Sequence, residues 1–317
     1  MSAAGLGDYY RAITMLEKVL VAGDERRWLL KMPDEPPATA NLIYLGCNIL
    51  KTLHLVQTLT LLLDSLGVDY LAVGGPAFCC GISHRRLGQM DAGKRIFDRS
   101  QQGFEAFQPS TLVNWCPSCE ERLHEMVPDL GALPYEVVHF TEFLTSLLAE
   151  VEWKQAVPLK CALHAHYGSE DSDRETAFAR QIMAMIPGLE VMELSEYSEL
   201  GAHCSAQRVS GLGRPRFREL IEGQVAEARA LGAGALVSVY HSCHRELARY
   251  AGGQIEVLNY TTLVARALGL PEPEDRYQRY LNQDFATVAA ELMPLAEAEG
   301  IRADIAERVL RAEFTVR

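Results

Sequence analysis

The chain has 317 residues, 48% hydrophobic and 23% charged, enough to bury a sizeable core as two domains or two repeated lobes. Its formal net charge of −12, with no basic block to offset it, argues against nucleic acid or an anionic membrane surface as a partner. No basic-then-apolar leader opens the chain, and its greasiest segment, 49–63, is interrupted by Lys51, His54 and Gln57. The expectation is a cytoplasmic protein with no direct membrane insertion, whose eight cysteines serve metal binding or catalysis rather than disulfides.

Residues 1–40 read as an N-terminal extension, with a helix near 8–22 and a Pro-rich linker from Met32 to Pro37. A strand at 41–46 ends at Cys47, and apolar residues at helical spacing predict a long helix from about 49 to 66. Asp69 to Val73 is a second strand, after which Gly74-Gly75-Pro76 makes a turn presenting Cys79 and Cys80. A helix near 90–107 leads to the strand Thr111–Trp115, which runs into Cys116. Strands alternating with helices predict an α/β fold with parallel strands, in which sites form at the carboxyl ends of the strands.

The second half repeats the first. His203-Cys204 follow Cys79-Cys80 by 124 positions, and Tyr240-His241-Ser242-Cys243 follow Cys116-Pro117-Ser118-Cys119 by the same 124. Val257-Leu258-Asn259-Tyr260-Thr261 follow Val137-Val138-His139-Phe140-Thr141 by 120. Several matches at nearly one offset predict an internal duplication, 41–150 and 157–268. The predicted organisation is therefore an extension at 1–40, lobes at 41–150 and 151–270, and a helical tail at 271–317. The tail's apolar stripe, Leu281, Phe285, Val288, Leu292 and Leu295, suits packing on the chain's own core or a partner groove.

Five cysteines form one constellation, Cys-x31-Cys-Cys-Gly-x34-Cys-x2-Cys, comprising Cys47, Cys79, Cys80, Cys116 and Cys119. Adjacent thiolates repel each other unless a cation or cluster sits between them. Three loops at one sheet edge could converge on an iron–sulfur cluster. Zinc in a four-cysteine site and a redox-active Cys-x2-Cys remain open on spacing alone. Cys161, inside the strand Leu159–Leu163, reads as a core residue.

The array resembles that of the cysteine-rich (CCG) domain family, seen in the B component of heterodisulfide reductase and related proteins, over roughly residues 41–268. The first motif matches in full. The resemblance implies a CCG domain at 41–150 holding a non-cubane [4Fe-4S] cluster on Cys47, Cys79, Cys80, Cys116 and Cys119. It further implies a thiol or disulfide substrate, and partner iron–sulfur and flavin subunits in a heterodisulfide-reductase-like complex.

The second lobe departs from the family pattern. In register, Cys47 corresponds to Tyr167, Cys79 to His203, Gly81 to Ser205 and Cys116 to Tyr240; only Cys204 and Cys243 survive. The same edge holds His164, His166, His203, His241 and His244. Three readings stay open: a vestigial scaffold, a different metal site (zinc or iron), or a thiol pocket with a reactive cysteine. The possible second metal or substrate site comprises His164, His166, His203, Cys204, Cys243 and His244, and the candidate catalytic groups are Cys243, His203 and His241.

Other signals are weak. Ser210-Gly211-Leu212-Gly213 lacks the third glycine of a dinucleotide fingerprint, and no Walker, His-Glu-x2-His, Gly-x-Ser-x-Gly or ferredoxin cysteine motif occurs. The function expected is an iron–sulfur oxidoreductase subunit exchanging electrons between a thiol, disulfide or carrier-bound sulfur and partner subunits. The alternatives are a non-catalytic assembly subunit with zinc or a structural cluster, and an electron conduit to quinone for a flavin-dependent 2-hydroxy-acid or glycerol-3-phosphate dehydrogenase.

Overall fold

The computed structural model describes residues 3–21, 23–130, 133–252 and 255–315. The chain divides into two units. The first comprises Met1–Gln57, Val68–Val138 and Glu274–Arg317, and the second Thr58–Gly67 and His139–Pro273. The N-terminal extension and the tail from Glu274 onward thus belong with the first unit.

The first half runs α1 (Ala3–Leu20), β1 (Asn41–Gly46), α2 (Leu53–Ser65), β2 (Tyr70–Gly74), α3 (Ile82–Arg85), α4 (Met90–Ala106), β3 (Thr111–Asn114), α5 (Pro117–Leu130) and β4 (Glu136–His139). The second runs α6 (Phe140–Leu148), β5 (Leu159–His164), α7 (Glu170–Met185), β6 (Leu189–Met192), α8 (Ala206–Leu212), α9 (Arg214–Ala230), β7 (Ala235–Ser238), α10 (His241–Leu247), β8 (Glu256–Asn259) and α11 (Tyr260–Ala267). The tail holds α12 (Arg276–Leu281), α13 (Phe285–Ala298) and α14 (Ala303–Phe314). Among the described residues, no helix is long and apolar enough to cross a membrane.

The expected α/β architecture of two pseudo-duplicated lobes, with helical extensions, is what forms. Two four-stranded parallel sheets have the orders β2-β1-β3-β4 and β6-β5-β7-β8. In each sheet the chain turns one way after the first strand and the other way after the second. The crevice at that reversal is where α/β sheets bind ligands. Strand pairing also verifies the repeat offset: Tyr44 pairs with Asn114 and His164 with Ser238, so positions 120 and 124 apart are structural counterparts.

Central strand β1 reads Leu-Ile-Tyr-Leu without alternation because both its faces are covered, and residues 42–46 are all buried. Beneath the loops that follow β1, β2 and β3 lies a core containing Tyr44, Phe78, Phe97, Phe104, Phe107 and Leu112. Each such side chain contributes about 1.5–3 kcal/mol by leaving water.

Two expectations change in detail. The helix expected from 49 breaks into a 3-10 turn, Asn48–Lys51, and α2. Thr52 makes the break: its amide and hydroxyl both donate to the Ile49 carbonyl, at 2.7 and 2.9 Å, closing the tighter turn. The tail is three helices, with Asp275 and Asp284 capping the first two. The buried stripe of α13 is Val288, Leu292 and Ala296, whereas Leu295 is 46% exposed. Lys51, which interrupts an apolar segment, pairs at 2.6 Å with Glu313 of α14, and Arg276 donates to the Leu20 carbonyl at the end of α1.

Candidate functional site

Cys47, Cys79, Cys80, Cys116 and Cys119 converge in the first unit, none more than 7% exposed. Cys47 follows β1 and opens the 3-10 turn. Gly46 before it has φ 74°, and a Cβ there would sit 3.0 Å from the Cys116 Cβ and 3.1 Å from the Cys119 Sγ. The glycine therefore lets the third loop close over the first. Cys79 and Cys80 follow β2 through the Pro76–Phe78 turn. Gly81 has φ 76°, and a Cβ would lie 2.3 Å from the Gly93 carbonyl oxygen, so backbone contact demands glycine after the cysteine pair. The Ser100 hydroxyl holds the Cys79 carbonyl at 2.8 Å.

The third loop follows β3. Buried Asn114 donates to the Cys116 carbonyl at 3.2 Å and to Glu120 at 2.5 Å, fixing the start of α5, while the Cys119 amide donates to the Cys116 carbonyl. Three tyrosines approach the sulfurs: the Tyr10 hydroxyl is 3.2 Å from Cys79, that of Tyr44 3.3 Å from Cys119, and that of Tyr9 3.8 Å from Cys47.

The electrostatics show why such a group needs a cation. Hydrogen bonds from Cys47 and Cys80, with further ones from Tyr10 and the Gly81 amide, hold the Cys79 thiol well below its ordinary range despite burial. Cys47 is pushed up by its bond to Cys79 and by burial, and Cys119 by its bonds to Cys116 and Cys80 and by burial. Neighbouring thiols cannot all ionise in so dry a site unless positive charge enters with them. An all-sulfur, buried donor set of five fits an iron–sulfur cluster.

In the second unit, His164 ends β5 and His166 lies two residues beyond. Cys204 precedes α8, and Cys243 sits in the first turn of α10. One ligand atom from each of these four lies within 4.8 Å of every other, and all four are buried. His203, His241 and His244 are outside that group. His203 and His241 are buried too, and among the described residues neither ring nitrogen of His241 has a hydrogen-bond partner. Burial pushes the Cys204 thiol up. Cys243 is held well down, against its burial, by Cys204, His166 and His164. Cys161 lies fully buried in β5, and burial pushes it up to about 12.

Several site residues carry no signal at the sequence level. Tyr9 and Tyr10 lie far from any cysteine motif, and Tyr44 looks like ordinary strand sequence. Gln224, whose Oε1 lies 2.5 Å from His164 Nδ1, was detectable as a glutamine on the apolar face of α9 between Ile221 and Val225.

Known proteins share parts of this sequence. The model of the Cysteine-rich domain (CCG) family matches residues 42–124, so the first lobe carries a domain of that family. Over 283 residues the chain is 27% identical to the D component of dihydromethanophenazine:CoB–CoM heterodisulfide reductase from Methanosarcina acetivorans, covering 84% of this chain and 66% of that protein. It is 28% identical over 186 residues to EtfAB:quinone oxidoreductase of Syntrophomonas wolfei, covering 55% and 25%. It is 25% identical over 147 residues to the probable iron-sulfur-binding oxidoreductase FadF of Bacillus subtilis, covering 46% and 21%. The heterodisulfide reductase relative is thus the D component, where the cysteine array suggested the B component. The chain spans less than two thirds of the length of each of these relatives. It is related to oxidoreductases and their subunits, one of them named as iron-sulfur-binding.

Proposed function

We propose that the chain is an electron-transfer subunit of a heterodisulfide-reductase-like complex. In this reading Cys47, Cys79, Cys80, Cys116 and Cys119 hold one non-cubane [4Fe-4S] cluster. Electrons pass between a thiol, disulfide or carrier-bound sulfur and partner iron–sulfur and flavin subunits. Residues 41–150 form the complete cysteine-rich domain and 151–270 a second copy with altered ligands; 1–40 and 271–317 serve assembly. The observation that carries the reading is the convergence of five buried sulfurs at the switch point of one parallel sheet.

Bound there, the cluster supplies a one-electron store. The chain's own groups shape its surroundings. With a cluster bound the sulfurs would carry no proton, so the Tyr10 hydroxyl, 3.2 Å from Cys79, and the Tyr44 hydroxyl, 3.3 Å from Cys119, would donate to them and draw charge from them, while burial of the cysteines excludes water. The close approaches at Gly46 and Gly81 position the cysteine loops against their neighbours.

Iron, sulfide and zinc analysis of anaerobically purified protein, with an EPR spectrum after oxidation, tests the reading. About four irons and four sulfides per chain and a paramagnetic signal on oxidation are expected. Zinc on these cysteines with no sulfide would refute electron transfer and leave an assembly role. A second destination for the electrons is quinone, favoured by the name of the Syntrophomonas wolfei relative. Reduction of a quinone analogue by the reduced complex, with no reaction with disulfides, would select it.

A further inference from the structure

We propose that His164, His166, Cys204 and Cys243 form a closed, four-coordinate site for a single zinc ion. The two lobes are then not one working site and one ruin. They hold two different metal centres.

The four ligand atoms lie within 4.8 Å of one another, and four of their six separations match tetrahedral edges closely. Zinc–sulfur bonds of ~2.3 Å and zinc–nitrogen bonds of ~2.0 Å give tetrahedral edges of ~3.3–3.8 Å. His164 Nε2 lies 3.3 Å from the Cys204 Sγ and 2.9 Å from His166 Nε2. His166 Nε2 lies 3.5 Å from the Cys204 Sγ and 3.1 Å from the Cys243 Sγ. Three of these separations are a few tenths of an ångström inside those edges and the fourth, at 3.5 Å, is on one, so an ion needs only slight outward relaxation. A two-iron cluster with the same ligand types would separate imidazoles from thiolates well beyond the 3.1–3.5 Å seen here.

The second observation is the tethering of each imidazole on its far side. His166 Nδ1 lies 2.6 Å from the Gly201 carbonyl oxygen, which can only accept, so this nitrogen carries the hydrogen. His164 Nδ1 lies 2.5 Å from Gln224 Oε1, and Gln224 is itself buried. With both Nδ1–H groups committed outward, both Nε2 lone pairs point inward at each other and at two thiols. This is the arrangement by which proteins fix the tautomer of metal-bound histidine. Without a cation the two Nε2 atoms are met by the Cys204 and Cys243 thiols, at 3.3 and 3.1 Å, but still face each other at 2.9 Å, a contact that a shared cation would satisfy.

Charge agrees. Two thiolates and two neutral imidazoles balance Zn2+ to zero, which a fully buried site requires. Loading forms two Zn–S and two Zn–N bonds and releases the two thiol protons to solvent, with no change of oxidation state. Soft, mixed sulfur–nitrogen tetrahedra select zinc over oxygen-seeking cations. With four protein ligands and no open position, the ion is structural, and Cys243 is a ligand rather than a nucleophile.

The repeat shows how the site arose. Cys204 and Cys243 are the counterparts of Cys80 and Cys119, while His164 stands where Tyr44 stands and His166 where Gly46 stands. In the first lobe, Gly46 leaves the space that Cys116 fills. In the second, Cys116 is replaced by Tyr240, and His166 brings its own ligand to the strand end. Three cysteines are lost, at Tyr167, His203 and Tyr240, and two imidazoles are gained at His164 and His166, so the surviving pair is completed to four.

Metal analysis and zinc-edge X-ray absorption on the full chain provide the test, with chelator competition for affinity. One zinc per chain with a first shell of two sulfurs and two nitrogens is expected. Cys243→Ser should bring zinc to background while iron and sulfide stay unchanged. Gln224→Ala, which spares all four ligands, should weaken zinc about 10–100-fold if the serine variant does not fold. Absence of zinc from the purified chain would overturn the proposal, as would zinc that survives Cys243→Ser. A first shell of four sulfurs would also overturn it, and would place zinc on the first-lobe cysteines, defeating the iron–sulfur reading as well. A two-sulfur, two-nitrogen zinc in protein lacking iron would leave this site standing while the iron–sulfur reading fails.

Discussion

Gly81 shows how much a single residue can decide. Its φ of 76° costs a non-glycine residue about 1–2 kcal/mol, and the Gly93 carbonyl 2.3 Å from a notional Cβ adds a clash that backbone must move to relieve. Gly67 has nearly the same φ, 68°, but nothing within 4 Å. Gly81→Ala should therefore lower the melting temperature well beyond Gly67→Ala and reduce iron loading, which Gly67→Ala should leave intact. Calorimetry and iron content on the pair separate strain from loss of the cysteine loop. The Tyr10 hydroxyl, 3.2 Å from Cys79, works on a different quantity. A hydrogen bond to sulfur of about 1 kcal/mol corresponds to about 40 mV for one electron. Tyr10→Phe should shift the midpoint potential negative by that order without loss of iron, as redox titration by EPR would show. No motif announces this tyrosine, because it reaches the site from α1, thirty-seven positions before Cys47 (47 − 10).

At the scale of elements, alternation of strand and helix was legible because each strand is a short apolar run ended by glycine or polar residues. β1 forms over the predicted 41–46, and β3 ends one residue earlier than expected. Helix periodicity was less informative where one side chain intervened, as Thr52 does. In the tail, periodicity admitted Leu295 to the stripe, yet packing chose Ala296 and left Leu295 at the surface. Leu292, fully buried in α13, should cost about 2–5 kcal/mol as Leu292→Ala, whereas Leu295→Ala should stay within about 0.5 kcal/mol. Denaturant titration of the two variants checks this, and a partner that covers Leu295 would make the second substitution costly only in the complex.

For the whole molecule, the sequence by itself determined the duplication, the α/β class and the five-cysteine array. These are properties of spacing, and spacing along a chain is the same whether the chain is folded or not. It also contained all four members of the second-lobe His-Cys group, though within a wider set that included His203 and His244. Only tertiary structure decided which four meet, because the choice depends on where strand ends and helix starts point their side chains, a matter of ångströms that a residue count does not contain. The same holds for the outward tethers. Gln224 lies sixty positions from His164 (224 − 164), and the Gly201 carbonyl is backbone with no sequence identity to read. Ligand types follow from composition and periodicity, but coordination follows from convergence, and convergence exists only once the sheet has brought its loops to one edge.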